Sequence, residues 1–185
     1  VHFDSIEDYR DIETLNMYRE KMDFEKWDEK KIMESIYAKG RDNARTPMQW
    51  DDTENAGFTK GTPWIKVNPN FKEINVKNAL ADPNSIFYHY QKLIQLRKTY
   101  PVIVYGDYTL LAEDSEEVFA YIRSLDGVKL LVISNWTNEE VSFTMPEKEE
   151  FNPEKILISN YPDPEENPGE TILLRPWEAI VYLGK

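Results

Sequence analysis

The sequence predicts a helical first half joined to an antiparallel β-sandwich or barrel, with the boundary near Tyr100–Pro101. Three observations carry that expectation. Apolar residues recur at helical spacing in several segments before Lys98. A stretch rich in glycine, proline and aromatic residues, from Asn55 to Pro69, interrupts them. Beyond Pro101 the pattern changes to short β-branched and aromatic runs separated by turn residues.

Taken in order, Ser5 followed by Asp8 reads as a helix cap with an acid three positions on. Ile12, Leu15, Tyr18 and Met22 then share one helical face, predicting a helix from Ile12 to Met22. Asp11 and Glu13 near its start read as favourable charge at a helix N-terminus. A second helix runs through Ile32, Met33, Ile36 and Tyr37, with Gly40 after Lys39 as its C′ terminator. Pro47 keeps the following segment from resuming helix. Trp50, Phe58 and Trp64 in and beside the irregular stretch fit either a pocket rim or plugs that pin a loop, and each ring taken singly reads as a plug.

Ala81–Ser85 is expected to cap the strongest helix, from Ile86 to Lys98. Its stripe of Ile86, Phe87, Tyr90, Leu93, Ile94 and Arg97 should pack on a sheet or barrel. Eight strands are expected after Pro101, centred on Val102–Tyr105, Tyr108–Leu111, Val118–Ile122, Lys129–Ser134, Val141–Phe143, Lys155–Ile158, Thr171–Leu174 and Ala179–Tyr182. Gly106-Asp107, Asp126-Gly127 and Asn167-Pro168-Gly169 punctuate them.

The composition narrows the function. A formal net charge of −12 disfavours nucleic acid and anionic membranes as partners. No cysteine is present, which excludes disulfides and thiol chemistry and suits a reducing, cytoplasmic setting. No run is apolar and long enough to span a bilayer. Asn135-Trp136-Thr137 fits the glycosylation sequon, and a chance match is the expected reading. The chain begins at Val1 with no leader and reads like the middle of a protein, so a fragment is expected.

Two enzymatic explanations fail on inventory. Only His2 and His89 could serve as a histidine base, and His89 reads as a packed or solvent-edge residue of the strong helix. No cluster has metal-ligand spacing, and no glycine-rich loop follows a strand, so neither a metal nor a cofactor is expected in this chain. Asp42, Asp51 and Asp52 are close in sequence, but adjacent acids usually diverge, and turn chemistry is expected for the last two. The densest recognition chemistry lies in Gly40-Arg41-Asp42-Asn43-Ala44-Arg45-Thr46-Pro47-Met48-Gln49-Trp50-Asp51. Arg41 could hold a carboxylate and sugar hydroxyls at once through its planar fork of donors. Arg45 could brace the loop or reach the ligand. Pairing of both arginines with the abundant acids fits the residues equally well.

That motif resembles the α-glucosidase and oligo-1,6-glucosidase branch of glycoside hydrolase family 13. So do Tyr9-Arg10-Asp11-Ile12-Glu13-Thr14-Leu15-Asn16 before it, and Asn55-Ala56-Gly57-Phe58, Trp64-Ile65-Lys66-Val67-Asn68 and Ser85–Ile94 after it. The resemblance implies a (β/α)8 barrel followed by a C-terminal antiparallel β-sandwich, in a protein about three times this length. Residues 1–100 would be the end of the barrel, a helical excursion plus the last barrel helix, and 101–185 the sandwich. The three catalytic carboxylates would lie on earlier strands, so this chain would hold none of them and be inactive alone. Arg41 would bind the non-reducing-end glucose in subsite −1, paired with an aspartate from the remaining barrel, and Glu13 would contact the sugar in subsite +1. Arg45 would be a weaker substrate contact, and Trp50, Phe58 and Trp64 would pack the loop. The implied activity is that of a retaining, exo-acting α-glucosidase on short α-glucosides, isomalto-oligosaccharides foremost, with the rest of the barrel as partner. Linkage preference, trehalose-6-phosphate or sucrose included, and calcium in the remaining part stay open. The alternatives are a non-catalytic carbohydrate-binding module and an inactive family member.

Overall fold

In the computed structural model, which describes residues 1–166 and 168–185, the chain separates into two compact units, Val1–Ser85 and Ile86–Lys185. That division lies before the change of period at Tyr100–Pro101, because the strong helix touches elements that follow it. Asn167, expected as part of a turn, lies outside the described residues.

The first unit is built on two helices. Ser5 caps only a single 3-10 turn, Ile6–Asp8, by accepting from the Glu7 N–H. The helix proper, α1 (Ile12–Arg19), starts at Asp11, whose carboxylate accepts from the Thr14 N–H. It runs on as a wider π turn over Glu20–Phe24. Helix α2 (Glu29–Lys39) is capped by Asp28, which accepts from the N–H groups of Lys30 and Lys31. Ile32, Met33 and Ile36 from α2 join Phe3, Tyr9 and Ile65 in one apolar cluster. Gly40 ends α2 in extended backbone rather than as the left-handed terminator expected from sequence. It is glycine for space, since a Cβ there would meet the Ile36 carbonyl at 2.8 Å. A short helix, α3 (Val76–Ala81), closes the unit and is capped by Asn75.

In the second unit, α4 (Ile86–Thr99) forms where expected. Its predicted core stripe is not buried: Ile86 is 87% exposed, and Phe87, Tyr90, Leu93 and Ile94 are also exposed. Leu96 is the residue of α4 that is buried, with Val102, Leu130, Leu157 and Leu183. His89 is at the solvent edge.

The run Val102–Tyr105, expected as a strand, is helical: α5 spans Pro101–Tyr105. Pro101 sits in its first turn, where a fixed φ and a missing N–H favour helix. The Arg123 guanidinium donates to the carbonyls of Val102, Val104 and Gly106 at the C-terminal end of α5. Gly106 approaches so closely that a Cβ would lie 2.6 Å from the Val102 oxygen.

Seven strands therefore follow, not eight, among the described residues. They are β1 (Asp107–Leu110), β2 (Val118–Leu125), β3 (Val128–Asn135), β4 (Val141–Thr144), β5 (Pro153–Ser159), β6 (Thr171–Leu174) and β7 (Ala179–Gly184). The order β1-β2-β3-β7-β5 makes one sheet and β4-β6 a second, and these neighbours pair antiparallel. Asp126 and Gly127, both at positive φ, turn β2 into β3 with Leu125 opposite Val128. Alternate residues of β2, β3 and β7 point inward to meet Phe143, Ile172 and Leu174 of the second sheet, so the two sheets form a sandwich. Asn135, the first sequon residue, is buried and its amide donates to the carbonyls of Glu139 and Arg175, as a chance sequon would allow.

Candidate functional site

The Gly40–Asp51 motif forms a chain of pins. Arg41–Ala44 coil as a 3-10 turn directly after α2. Asn43 turns its amide back to donate to the carbonyls of Tyr37 at 2.9 Å and Ile36 at 3.4 Å, satisfying groups the helix end leaves open. Gln49 donates to Asn70 and to the Ile74 carbonyl. Trp50 and Asp51 both donate their N–H to the Ala56 carbonyl, and Val76 and Lys77 donate to Gln49 and Trp50. Asn55, Ala56 and Gly57 are all left-handed, and a Cβ on Gly57 would press against the Asp51 carboxylate at 2.8 Å. Asp51 accepts from Thr53 in an Asx turn while Asp52 pairs with Lys77 at 2.9 Å, so the two acids diverge as expected.

The three candidate binding residues converge on the start of α1. Arg41 Nη2 lies 2.9 Å from Glu13 Oε2, and both side chains are largely exposed, at 62% and 69%. Arg45 Nη1 lies 3.3 Å from Asp11 Oδ1 and 3.7 Å from Asp42 Oδ1. Both arginines thus pair with acids inside this chain, the alternative the residues had left open. Asp11 and Asp42 are buried, whereas Arg41 and Glu13 stay open to a ligand. Burial pushes the Asp11 carboxyl up, but hydrogen bonds from Thr14 and the charges of Arg45 and Arg41 outweigh it and hold it below the usual carboxylate range. A groove of about 490 Å³ runs beside the pair, lined by Asp11, Glu13, Trp27, Lys39, Gly40 and Arg41 among others.

Sequence reasoning placed Asp42 only among nearby acids. It is fully buried, and its Oδ2 accepts from the N–H groups of Arg10 and Asp11. Nothing in its sequence spacing signals that role, because the partners are distant backbone amides. The expectation that Trp50, Phe58 and Trp64 pack as plugs is not met in this chain, where all three rings are about half exposed. Hydrogen bonds hold the backbone at Trp50, so the indole is not needed to pin the loop there. Among the described residues no group of three or more His, Asp or Glu side chains could hold a metal ion, and no helix is long and apolar enough to cross a membrane.

Residues 10–106 match the catalytic domain of the α-amylase family, and residues 118–181 match the C-terminal domain of the α-amylase SusG. The chain belongs to the α-amylase family. It is 57% identical to the oligo-1,6-glucosidase of Parageobacillus thermoglucosidasius over 182 residues, which cover 98% of this chain and 32% of that protein. It is 47% identical to the trehalose-6-phosphate hydrolase of Bacillus subtilis, over 97% of this chain and 32% of that protein. The crystal structure of the Bacillus licheniformis trehalose-6-phosphate hydrolase superposes with a TM-score of 0.92 at 48% identity, covering all of this chain and 33% of that one. The trehalulose synthase MutB of Pseudomonas mesoacidophila superposes with a TM-score of 0.90 at 36% identity, covering 99% of this chain and 33% of that one.

The chain therefore spans about a third of the length of the curated relatives it matches. Its first part is the end of a family 13 (β/α)8 barrel, with the excursion and the last barrel helix, and its sandwich is the domain that follows. Barrel helices bury one face against a ring of parallel strands. The described residues contain no parallel strand pair, which accounts for the exposed stripe of α4.

Proposed function

We propose that this chain forms one wall of the substrate pocket of a retaining, exo-acting α-glucosidase that hydrolyses short α-glucosides, isomalto-oligosaccharides foremost, in the cytoplasm. The supporting observation is the exposed Arg41–Glu13 pair, set in a chain 57% identical to a relative named oligo-1,6-glucosidase. A guanidinium and a carboxylate in contact offer donors and acceptors side by side, as two adjoining sugar positions require. Arg41 takes the non-reducing-end glucose in subsite −1 and Glu13 the neighbouring sugar in subsite +1. Arg45 works mainly from beneath, through Asp11, with a lesser contact to substrate. The catalytic carboxylates belong to the rest of the barrel, as the family resemblance implies; within this chain Asp42 is committed to backbone amides, Asp51 to a turn and Asp52 to Lys77. The chemistry expected of the whole protein is double displacement between two carboxyl groups about 5–5.5 Å apart.

The test is product analysis. The whole protein should release glucose from isomaltose and isomaltotriose as the α-anomer, and the 185-residue chain alone should release none. Initial formation of β-glucose, or authentic turnover by the chain alone, contradicts the proposal. One observation favours a second reading, a glucan-binding sandwich: Leu110, Phe119 and Trp136 line an exposed groove of about 490 Å³. Calorimetric titration of the 185-residue chain with isomaltotriose and maltotriose decides it, and absence of heat for W136A and wild type alike removes that reading.

A further inference from the structure

Apart from the pair itself, the most unusual group in the first unit is Asp42. It is 0% exposed, its Oδ2 accepts from Arg10 N at 2.6 Å and Asp11 N at 2.8 Å, and its Oδ1 has no hydrogen-bond partner among the described residues. That free oxygen faces Arg45 Nη1 at 3.7 Å. We propose that Asp42 is a positioning residue for sugar binding, a buried staple that sets Arg41 against Glu13. The proposal rests on the reading of Arg41 as a sugar-binding group.

The geometry supports it from both sides. Asp42 follows Arg41 directly in the 3-10 turn, so fixing its carboxylate fixes the backbone from which the guanidinium departs. Its two amide donors belong to the residues that lead into α1, where Asp11 accepts from Thr14 N and Oγ1 and Glu13 stands in the first turn. One carboxylate therefore ties the segment carrying Arg41 to the segment carrying Glu13. Magnitudes exclude the pair as its own scaffold. An exposed ion pair contributes at most about 1 kcal/mol, too little to order two backbone segments. Charge-assisted hydrogen bonds to a buried carboxylate are roughly twice as strong as neutral ones and cannot be replaced by water. Arg45, which reaches Asp11 and faces Asp42, supplies the counter-charge at the edge of this buried pair of acids. Binding groups must be held within about 0.5 Å of their productive position, and such precision comes from the shell beneath them.

The experiment is a double-mutant cycle in the whole protein, read as kcat/KM on isomaltose well below the melting temperature of every variant. Asp42→Ala should lower kcat/KM on the order of tenfold or more, and Arg41→Ala on the order of a hundredfold. The double variant should be no worse than Arg41→Ala within about twofold, since Asp42 acts through Arg41. Asp42→Asn keeps one oxygen for the two amides and should recover most of the activity. A residue that acts on turnover independently of Arg41 gives losses that multiply, and multiplied losses overturn the proposal. So does a folded Asp42→Ala enzyme with normal kcat/KM. If Asp42→Ala does not fold, Asp42→Asn carries the same cycle, with a loss of about threefold that must vanish on the Arg41→Ala background. Normal turnover by Arg41→Ala is a different outcome: it sinks the reading of the pair, and the positioning role with it.

Discussion

The sandwich and the excursion reach order by different means. The sandwich closes on itself: Val118, Ala120, Ile122, Leu131, Ile133, Ile180 and Tyr182 of one sheet meet Phe143, Ile172 and Leu174 of the other. The buried carboxylate of Glu178 is gripped by Arg175 through Nε and Nη2, while the same guanidinium also reaches Asp163 and lies over the Tyr161 ring. The excursion has a smaller apolar cluster and is held beyond it by side chains bonded to distant backbone, Asp42 to Arg10 and Asp11, Asn43 to Ile36 and Tyr37, Gln49 to Ile74. Apolar area gives stability without direction, whereas hydrogen bonds fix direction at modest net gain. The region that holds the exposed Arg41–Glu13 pair is built from the second kind.

The comparison can be broken most severely in the sandwich. Leu131 is fully buried, and Leu131→Ala should destabilise by about 2–5 kcal/mol through lost burial and an unfilled cavity. Denaturant unfolding checks this, and a change near zero would show that the sheets repack freely. Asn43→Ala should cost only about 1 kcal/mol, the loss of one or two net hydrogen bonds at a helix end. Its mark should be faster amide exchange at Gly40, with the sandwich amides unchanged; a shift throughout the chain contradicts a local pin.

Extremes of pH should separate the units further. Asp11 titrates below its ordinary value in the folded chain, so its contribution is present above the unfolded value of 3.8 and is lost as pH falls through the depressed folded value. The start of α1 should therefore loosen on the acid side. Tyr182 behaves oppositely: burial, then the negative charges of Glu165 and Glu178, push its hydroxyl up to about 12. Its contribution is intact below 10.0 and is lost as pH rises from there toward 12. Thr14 amide exchange and Tyr182 ring shifts followed across pH report the two ends, and a common midpoint for both would refute independent ordering.

What could be read in the sequence follows the same divide. Strands β2 and β3 were legible because their β-branched and aromatic runs are bounded by turn residues and Asp126-Gly127 marks the turn between them. Val102–Tyr105 was misread because its β-branched run suggests a strand, while Pro101, which ends α4, also starts α5. The apolar stripe of α4 was visible, but the surface it expects is not in this chain. In the candidate site, family resemblance singles out Arg41 and Glu13 separately, and their contact is not legible from sequence. The burial of Asp42 is not legible because its partners are backbone amides, which carry no signature in residue type.

The most direct test of the central claim is the kcat/KM of the whole protein and its Arg41→Ala variant on isomaltose. If Arg41 holds the terminal glucose, the variant should lose on the order of a hundredfold with its fold and melting temperature intact. An unchanged kcat/KM would contradict the claim and leave the Arg41–Glu13 contact as a surface ion pair.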